Sequence, residues 1–295
     1  MAKSILFEPV ESPFAVPYDD TWKIRKAETT PSSKPHKKEN QERLAETVHK
    51  LAKLQGRFYA DARYSLLLVF QAMDAAGKDG TIKAVMSGVN PQGCQVTAFK
   101  APSSEDLAHD YLWRVHRALP VRGQIGIFNR SHYEEVLVVR VNPDFLASQR
   151  LPHVPKHLDE LWEERFESIV EAERHWARNG CVILKFFLNV SREEQHKRFL
   201  DRITDPDDNW KFNATDWKES AKWDAYQDAY QAAIRATNKP WAPWYSIPAD
   251  SKSFMRCAVA DIVTRTLASL PIAYPEPTKE DRVVMEKIRG ELASE

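Results

Sequence analysis

Ser65-Leu66-Leu67-Leu68-Val69-Phe70-Gln71-Ala72-Met73-Asp74-Ala75-Ala76-Gly77-Lys78-Asp79-Gly80-Thr81 is the stretch on which the reading of this 295-residue chain turns. Its first six residues are an apolar run with no polar face, the pattern of a parallel strand buried on both sides. A small-residue turn with Gly77 and Gly80 follows, then a helical segment, Ile82-Lys83-Ala84-Val85-Met86. A strand, a small-residue turn and a helix are the setting of a phosphate-binding loop. Such a turn aims successive backbone N–H groups inward, and the helix adds the positive end of its dipole. Lys78 then supplies a point charge between two phosphates. The usual pattern is GxxxxGK[ST]. Here Ala72 stands for the first glycine and Asp79 for the metal-binding hydroxyl, so Asp74 becomes the natural metal ligand and Thr81 a displaced hydroxyl. The competing reading is a plain strand-to-helix connection in which Gly77 caps and Lys78 is solvated. The whole string Asp74–Thr81, in the first strong strand–helix unit, favours the phosphate role.

Working outward, the elements alternate. Strands are expected at Gln95–Phe99, Gln124–Phe128 and Cys181–Leu188. Helices are expected at Glu39–Tyr59, from Ser103 through Val115, at Leu158–Trp176, from Ser191 through Ile203, at Trp217–Ile234 and at Phe254–Leu270. Ser131/Glu134 and Ser191/Glu194 have capping-box spacing. Asn179-Gly180 stops the long helix. Alternation implies an α/β fold with a parallel sheet. The expected organisation is an arm and helix over 1–57, a main domain over 58–272 with a helical lid near 198–235, and a polar helix over 273–295. The Pro-, Ser-, Thr- and Lys-rich residues 1–38 are expected to lie irregularly on the surface, partly mobile, and are candidates to bridge subunits.

Bulk properties narrow the function. With 43% hydrophobic and 28% charged residues the composition is that of a soluble globular protein. Forty-two Lys+Arg balance forty-two Asp+Glu, so average charge gives no argument for nucleic acid, and an anion site must be a local cluster. Three scattered cysteines, Cys94, Cys181 and Cys257, suit a reducing cytoplasm better than a disulfide framework or a zinc site. No apolar segment reaches the ~20 residues of a membrane span, and no export signal is seen.

A second site segment is Phe128-Asn129-Arg130-Ser131-His132-Tyr133-Glu134-Glu135, at the carboxyl end of an expected strand. A carboxylate is typical there. Asn129 instead could orient a metal-bound water or a phosphate oxygen, and Arg130 could meet the transferring phosphate. A helix cap with a surface arginine remains the alternative. Arg198 and Arg202 share a helix face, with Lys197, Lys211, Lys218 and Lys222 nearby. Between Lys185 and Lys222, eight Lys or Arg face eight Asp or Glu, so only folding could sort them into a basic face. His153 and His157 lie among prolines and are not expected to bind metal. Trp241, Trp244 and Tyr245 are expected to pack.

With these residues in place, the chain resembles the polyphosphate kinase 2 family. The likeness is carried by Asp74–Thr81, Lys100-Ala101-Pro102, His109-Asp110-Tyr111-Leu112-Trp113-Arg114 and Phe128–Val138. Arg192-Glu193-Glu194-Gln195 with Arg198-Phe199 and Arg202, and Trp241-Ala242-Pro243-Trp244 with Pro248–Lys252, extend it over about residues 60–265. The resemblance implies a P-loop kinase-like three-layer α/β/α sandwich with a helical lid, similar to thymidylate kinases. It also implies transfer of phosphate between inorganic polyphosphate and nucleotides with Mg²⁺. The Asn129–Glu134 form resembles the third class, which phosphorylates AMP and ADP; other classes tend to carry Asp at the Asn129 position. Adenine nucleotides are implied first and guanine second, in a cytoplasmic homo-oligomer, dimer or tetramer, with no nucleic acid and no membrane partner. Carried over, Asp74, Lys78, Arg130 and Asn129 are the expected catalytic residues, with Asp74 on the metal. Ala75, Ala76, Gly77, Asp79, Gly80, Thr81, Lys100, Arg114, Ser131, Tyr133 and Glu134 are expected around phosphate and nucleotide. Arg198, Arg202 and Lys211 are expected on polyphosphate from the lid. An ATP-dependent nucleotide or metabolite kinase, and a loop scaffold that binds without turnover, are the alternatives.

Overall fold

A computed structural model describes residues 7–32 and 36–294. The beginning of the expected arm, residues 33–35 and the last residue lie outside the described residues. Five strands form one sheet: β1 Ser65–Gln71, β2 Cys94–Ala98, β3 Ile125–Asn129, β4 Cys181–Asn189 and β5 Trp244–Pro248. Their order is β2-β3-β1-β4-β5 and every pairing is parallel. All positions of β1 and β4 are buried, as a sheet covered on both faces requires.

The helices are α1 Lys37–Asp61, α2 Lys78–Val85, α3 Trp113–Ala118, α4 Val138–Val141, α5 Leu158–Arg178, α6 Arg192–Thr204, α7 Ala214–Ser220, α8 Trp223–Thr237, α9 Lys252–Ser269 and α10 Lys279–Leu292. Helices α1, α2 and α9 pack together, as do α4, α5 and α8, giving the α/β/α layering. Within the sheet, Phe70 of β1 stacks on Phe186 of β4 at 5.1 Å, next to the register pair Phe70↔Asn129. The carboxyl ends of β1 and β3 therefore lie side by side, where ligands bind in open α/β sheets.

Four expectations change. The helix expected from Ser103 closes after one turn: Ser103 and Asp106 hydrogen-bond reciprocally, Asp110 then caps the Leu112 N–H, and α3 begins only at Trp113. The Ser131 hydroxyl accepts from the Tyr133 N–H rather than from Glu134, because this is a 3-10 turn in which the Glu134 N–H donates to the Ser131 carbonyl. The stretch 217–234 is two helices, α7 and α8, broken at Ala221–Lys222. The described part of the arm is held down: the Val16 N–H donates to the Trp244 carbonyl and the Ser246 N–H to Phe14, so residues 14–16 cover the edge of β5. Val16 and Ile24 are buried in the core.

Beneath the sheet's end lies a buried polar knot. The Lys185 ammonium donates to Glu173 Oε2, to the Tyr133 hydroxyl and to the Thr237 carbonyl, at 2.6, 2.9 and 2.8 Å, using all three N–H bonds. Burial pushes Lys185 down to about 8, partly opposed by Glu173. Burial would raise Glu173, but Lys185 and His132 outweigh it and hold the carboxyl below its ordinary value. Lys185→Met should therefore cost about 3–5 kcal/mol, because it strands a buried carboxylate. Urea unfolding checks it: the double variant Lys185→Met/Glu173→Gln should recover most of the loss, and equal losses in single and double would refute the pairing.

Candidate active site

The loop between β1 and α2 gets its shape from two left-handed residues, Ala75 at φ 61° and Gly77 at φ 100°. At Gly77 a Cβ would sit a tight 3.2 Å from Met255 Cε, and the left-handed dihedral is what calls for glycine. Ala72 is not among the positive-φ residues. Its methyl costs no backbone strain there, which explains how alanine replaces the pattern's first glycine. Lys78 Nζ folds back to the Ala72 carbonyl at 3.0 Å. The Thr81 N–H makes its bond to Gly77 at 3.0 Å, while the amides of Lys78, Asp79 and Gly80 precede any in-helix acceptor and stay available for an anion. Thr81 corrects its expected role: its buried hydroxyl donates to the Gly77 carbonyl at 2.9 Å and stabilises the helix start.

At the end of β3, Asn129 Nδ2 donates to Asp79 Oδ1 at 2.5 Å, joining the neutral strand-end residue to the loop. Arg130 has a left-handed backbone, φ 61°, which swings its guanidinium over the loop. There it meets Asp74 Oδ1 at 2.8 Å and Glu134 Oε2 at 3.4 Å. Glu134, more than Asp74, keeps the Arg130 pKa above its ordinary value against burial. Burial raises the Glu134 carboxyl, with Arg130 and Lys78 opposing. Burial lowers the Lys78 ammonium, and Arg130 adds to the lowering. These are coupled charges in one small space, the usual state of an active site. Ser131 and Tyr133 depart from expectation. The Ser131 hydroxyl accepts from Gln71 and Tyr133, and the Tyr133 hydroxyl donates to Glu173 at 2.8 Å. Both are fully buried and serve the scaffold rather than a ligand.

Two cavities meet here. One, about 670 Å³, lies between the loop and the segment α6–α7. Its walls carry eight Lys or Arg against five Asp, in a chain of zero formal charge. Arg202 and Lys211 line it, Arg202 braced by Asp216 at 3.7 Å. Lys252 and Arg256 line it too, and sequence reasoning gave neither a role. They sit on α9 at i and i+4, and the approach of Arg256 Nη2 to 3.0 Å of a Cβ built on Gly80 shows how close α9 runs to the loop. Arg198 lines it as well, but its nitrogens are engaged by protein oxygens. The second cavity, about 690 Å³, is walled by apolar and aromatic groups, among them Leu137, Val138, Tyr226 and Tyr230, with Asn142 and Glu219. Arg114 lines it and donates to the Lys100 carbonyl at 2.9 Å. Asp74, Phe99, Lys100, Arg130 and Asp216 line both cavities.

No group of three or more His, Cys, Asp or Glu that could hold a metal exists among the described residues. A hard cation can be held by one or two carboxylates plus substrate phosphates, without a closed protein cage. Asp74 engages Arg130 through one oxygen only, and Asp79 engages Asn129 likewise, so the donor set fits.

The model of the polyphosphate kinase 2 family matches residues 34–273. The chain belongs to that family. An ADP-polyphosphate phosphotransferase of Rhodopseudomonas palustris is 49% identical over 251 residues, 85% of this chain and 87% of the relative. An AMP/ADP-polyphosphate phosphotransferase of Meiothermus ruber is 45% identical over 246 residues, 83% and 88% of the two chains. The crystal structure of polyphosphate kinase 2 from Arthrobacter aurescens superposes with a TM-score of 0.83 at 33% identity, covering 95% of this chain and 99% of that one. This supports the P-loop kinase-like α/β/α reading of the sheet. Of the elements described above, α10 lies beyond the stretch matched by the family model. No helix among the described residues is long and apolar enough to cross a membrane.

Proposed function

We propose that the chain transfers the terminal phosphate of inorganic polyphosphate to AMP and to ADP, giving ADP and ATP, and that the reaction is reversible. The observation that carries this is the junction of two unlike cavities at Asp74 and Arg130. The cation-rich cavity suits a long polyanion. The apolar, tyrosine-lined cavity suits a base and ribose. The names of the two relatives above support the donor and the acceptors.

In this reading the loop amides and Lys78 hold the donor phosphates. Arg130 meets the charge that spreads over the transferring group, while Lys100 reaches both cavities. The acceptor is already an anion, so no covalent intermediate is needed when donor and acceptor lie in line. The α6–α7 lid keeps water out. A divalent cation suits the chemistry, and we propose Mg²⁺ held through Asp74; it would neutralise phosphate charge at the junction. We place the enzyme in the cytoplasm as a homo-oligomer.

The test uses the full chain with Mg²⁺, polyphosphate and AMP, and no ATP. ADP should appear first and ATP second. Absence of both, with AMP phosphorylated when ATP is the donor, would make the chain an ATP-dependent kinase instead.

A further inference from the structure

We propose that α6 is a clamp on the phosphate loop, with Arg198 and Gln195 as positioning residues that preset its amides, rather than as polyphosphate ligands. The Arg198 side chain is 5% exposed. Nη1 donates to the carbonyls of Ala75 and Ala76 at 3.2 and 2.8 Å. Nη2 donates to the carbonyls of Ala249 and Asp250 at 2.7 and 3.2 Å. Nε donates to Glu194 Oε1 at 2.9 Å. A guanidinium has five N–H bonds, and here all five have acceptors. One turn earlier, Gln195 Nε2 donates to the Asp74 carbonyl at 2.9 Å. Three consecutive loop carbonyls, of Asp74, Ala75 and Ala76, are thus held by one helix.

A peptide N–H points opposite to its C=O. Holding those carbonyls outward therefore fixes the N–H groups of Ala75, Ala76 and Gly77 on the other side. The Ala76 N–H closes on Met73 at 3.3 Å; among the described residues the Ala75 and Gly77 amides have no acceptor within the protein. This arrangement is a preformed anion nest. The clamp also holds Ala75 in a left-handed conformation that is unfavourable for a non-glycine residue. The far side of the clamp is anchored too: Asp250 Oδ1 accepts from the Ser191 N–H at 2.8 Å, at the start of α6. Because α6 opens the lid segment, the lid and the loop share one rigid root.

The idea rests on the reading that the loop holds polyphosphate, so one readout is independent of substrate. Arg198→Lys keeps the charge, but a single ammonium cannot reach four carbonyls in two directions. In the full chain without ligand, hydrogen exchange of the loop amides should accelerate about tenfold or more in this variant and stay unchanged in Arg202→Ala. With polyphosphate and ADP, kcat should fall at least about tenfold while KM for polyphosphate stays within about threefold. Arg202→Ala should do the opposite, raising KM. Gln195→Met removes only the donor to Asp74 and should show the same pattern more weakly; it decides the matter if Arg198→Lys does not fold. Unchanged loop exchange, or a rise in KM with kcat retained, would overturn the proposal. Faster exchange in a chain that phosphorylates nothing from polyphosphate would uphold the clamp and remove the substrate reading.

Discussion

Lys78→Met should lower kcat for phosphate transfer by about 10³-fold or more, a loss of about 4 kcal/mol of transition-state stabilisation. Methionine matches the stem of lysine and removes only the ammonium. That ammonium spans the loop, 3.0 Å from the Ala72 carbonyl, above amides that alone carry only partial charge. In the transition state the moving phosphoryl group presents charge on its equatorial oxygens, and a partly buried cation there acts in a low dielectric. Burial and Arg130 lower the Lys78 pKa, while Asp74, Glu134 and Asp79 favour its charged form. The fold should survive, since the loss amounts to one hydrogen bond of about 1 kcal/mol. Initial rates with saturating polyphosphate and ADP, alongside a thermal melt, check both halves. A variant within tenfold of the parent would end the assignment of Lys78. Lys78→Arg should not rescue, because a planar fork fills the space differently from a point charge.

How much of this was legible beforehand depends on how local each feature is. Strand β1, the loop and α2 are encoded within some twenty consecutive residues, and there the residue pattern and the fold agree. The same holds for β4 and for the Ser191 cap, where the hydroxyl accepts from the Glu194 N–H as the spacing required. Strand β5 was missed although Trp244-Tyr245-Ser246-Ile247 has strand propensity, because a short aromatic run after two prolines reads equally well as packing. The seating of the arm could not be read, since its partners lie some 230 residues away at an edge the sequence does not announce. Arg198 shows the sharpest limit. Its spacing from Arg202 put both on one helix face, but the two side chains meet different surroundings: Arg202 lines the cavity braced by Asp216, and Arg198 is sunk among carbonyls. Spacing gives a face; only the packing of α6 against the loop decides which side chain is bound up in protein contacts. Lys252 and Arg256 were passed over for the converse reason. They are ordinary helix residues until α9 is laid along the loop.

Arg130→Ala should lower kcat about 10³-fold or more, the range for an arginine that neutralises a transferring phosphoryl group, and it raises a question of cause. Arg130 also sits between Asp74 and Glu134, so its loss removes the cation that pairs both carboxylates and leaves Lys78 to screen them. Glu134, already raised by burial and held back by Arg130, should then titrate at still higher pH. The acid limb of the pH–rate profile should move upward with it if ionised Glu134 is needed. Loss of activity could thus come from chemistry or from a disturbed loop, and a second variant separates them. Arg130→Ala/Glu134→Gln removes the stranded carboxylate and should recover thermal stability and the normal acid limb. If Arg130 acts on the phosphoryl group, kcat stays as low as in the single variant. If kcat returns with stability, Arg130 is an anchor for Glu134 and the stabilisation of the transferring phosphate must come from Lys78 and the lid cations. Arg130→Lys should fall between, at roughly 10²-fold, since a single ammonium keeps the charge but cannot bind Asp74 and Glu134 while facing a phosphate.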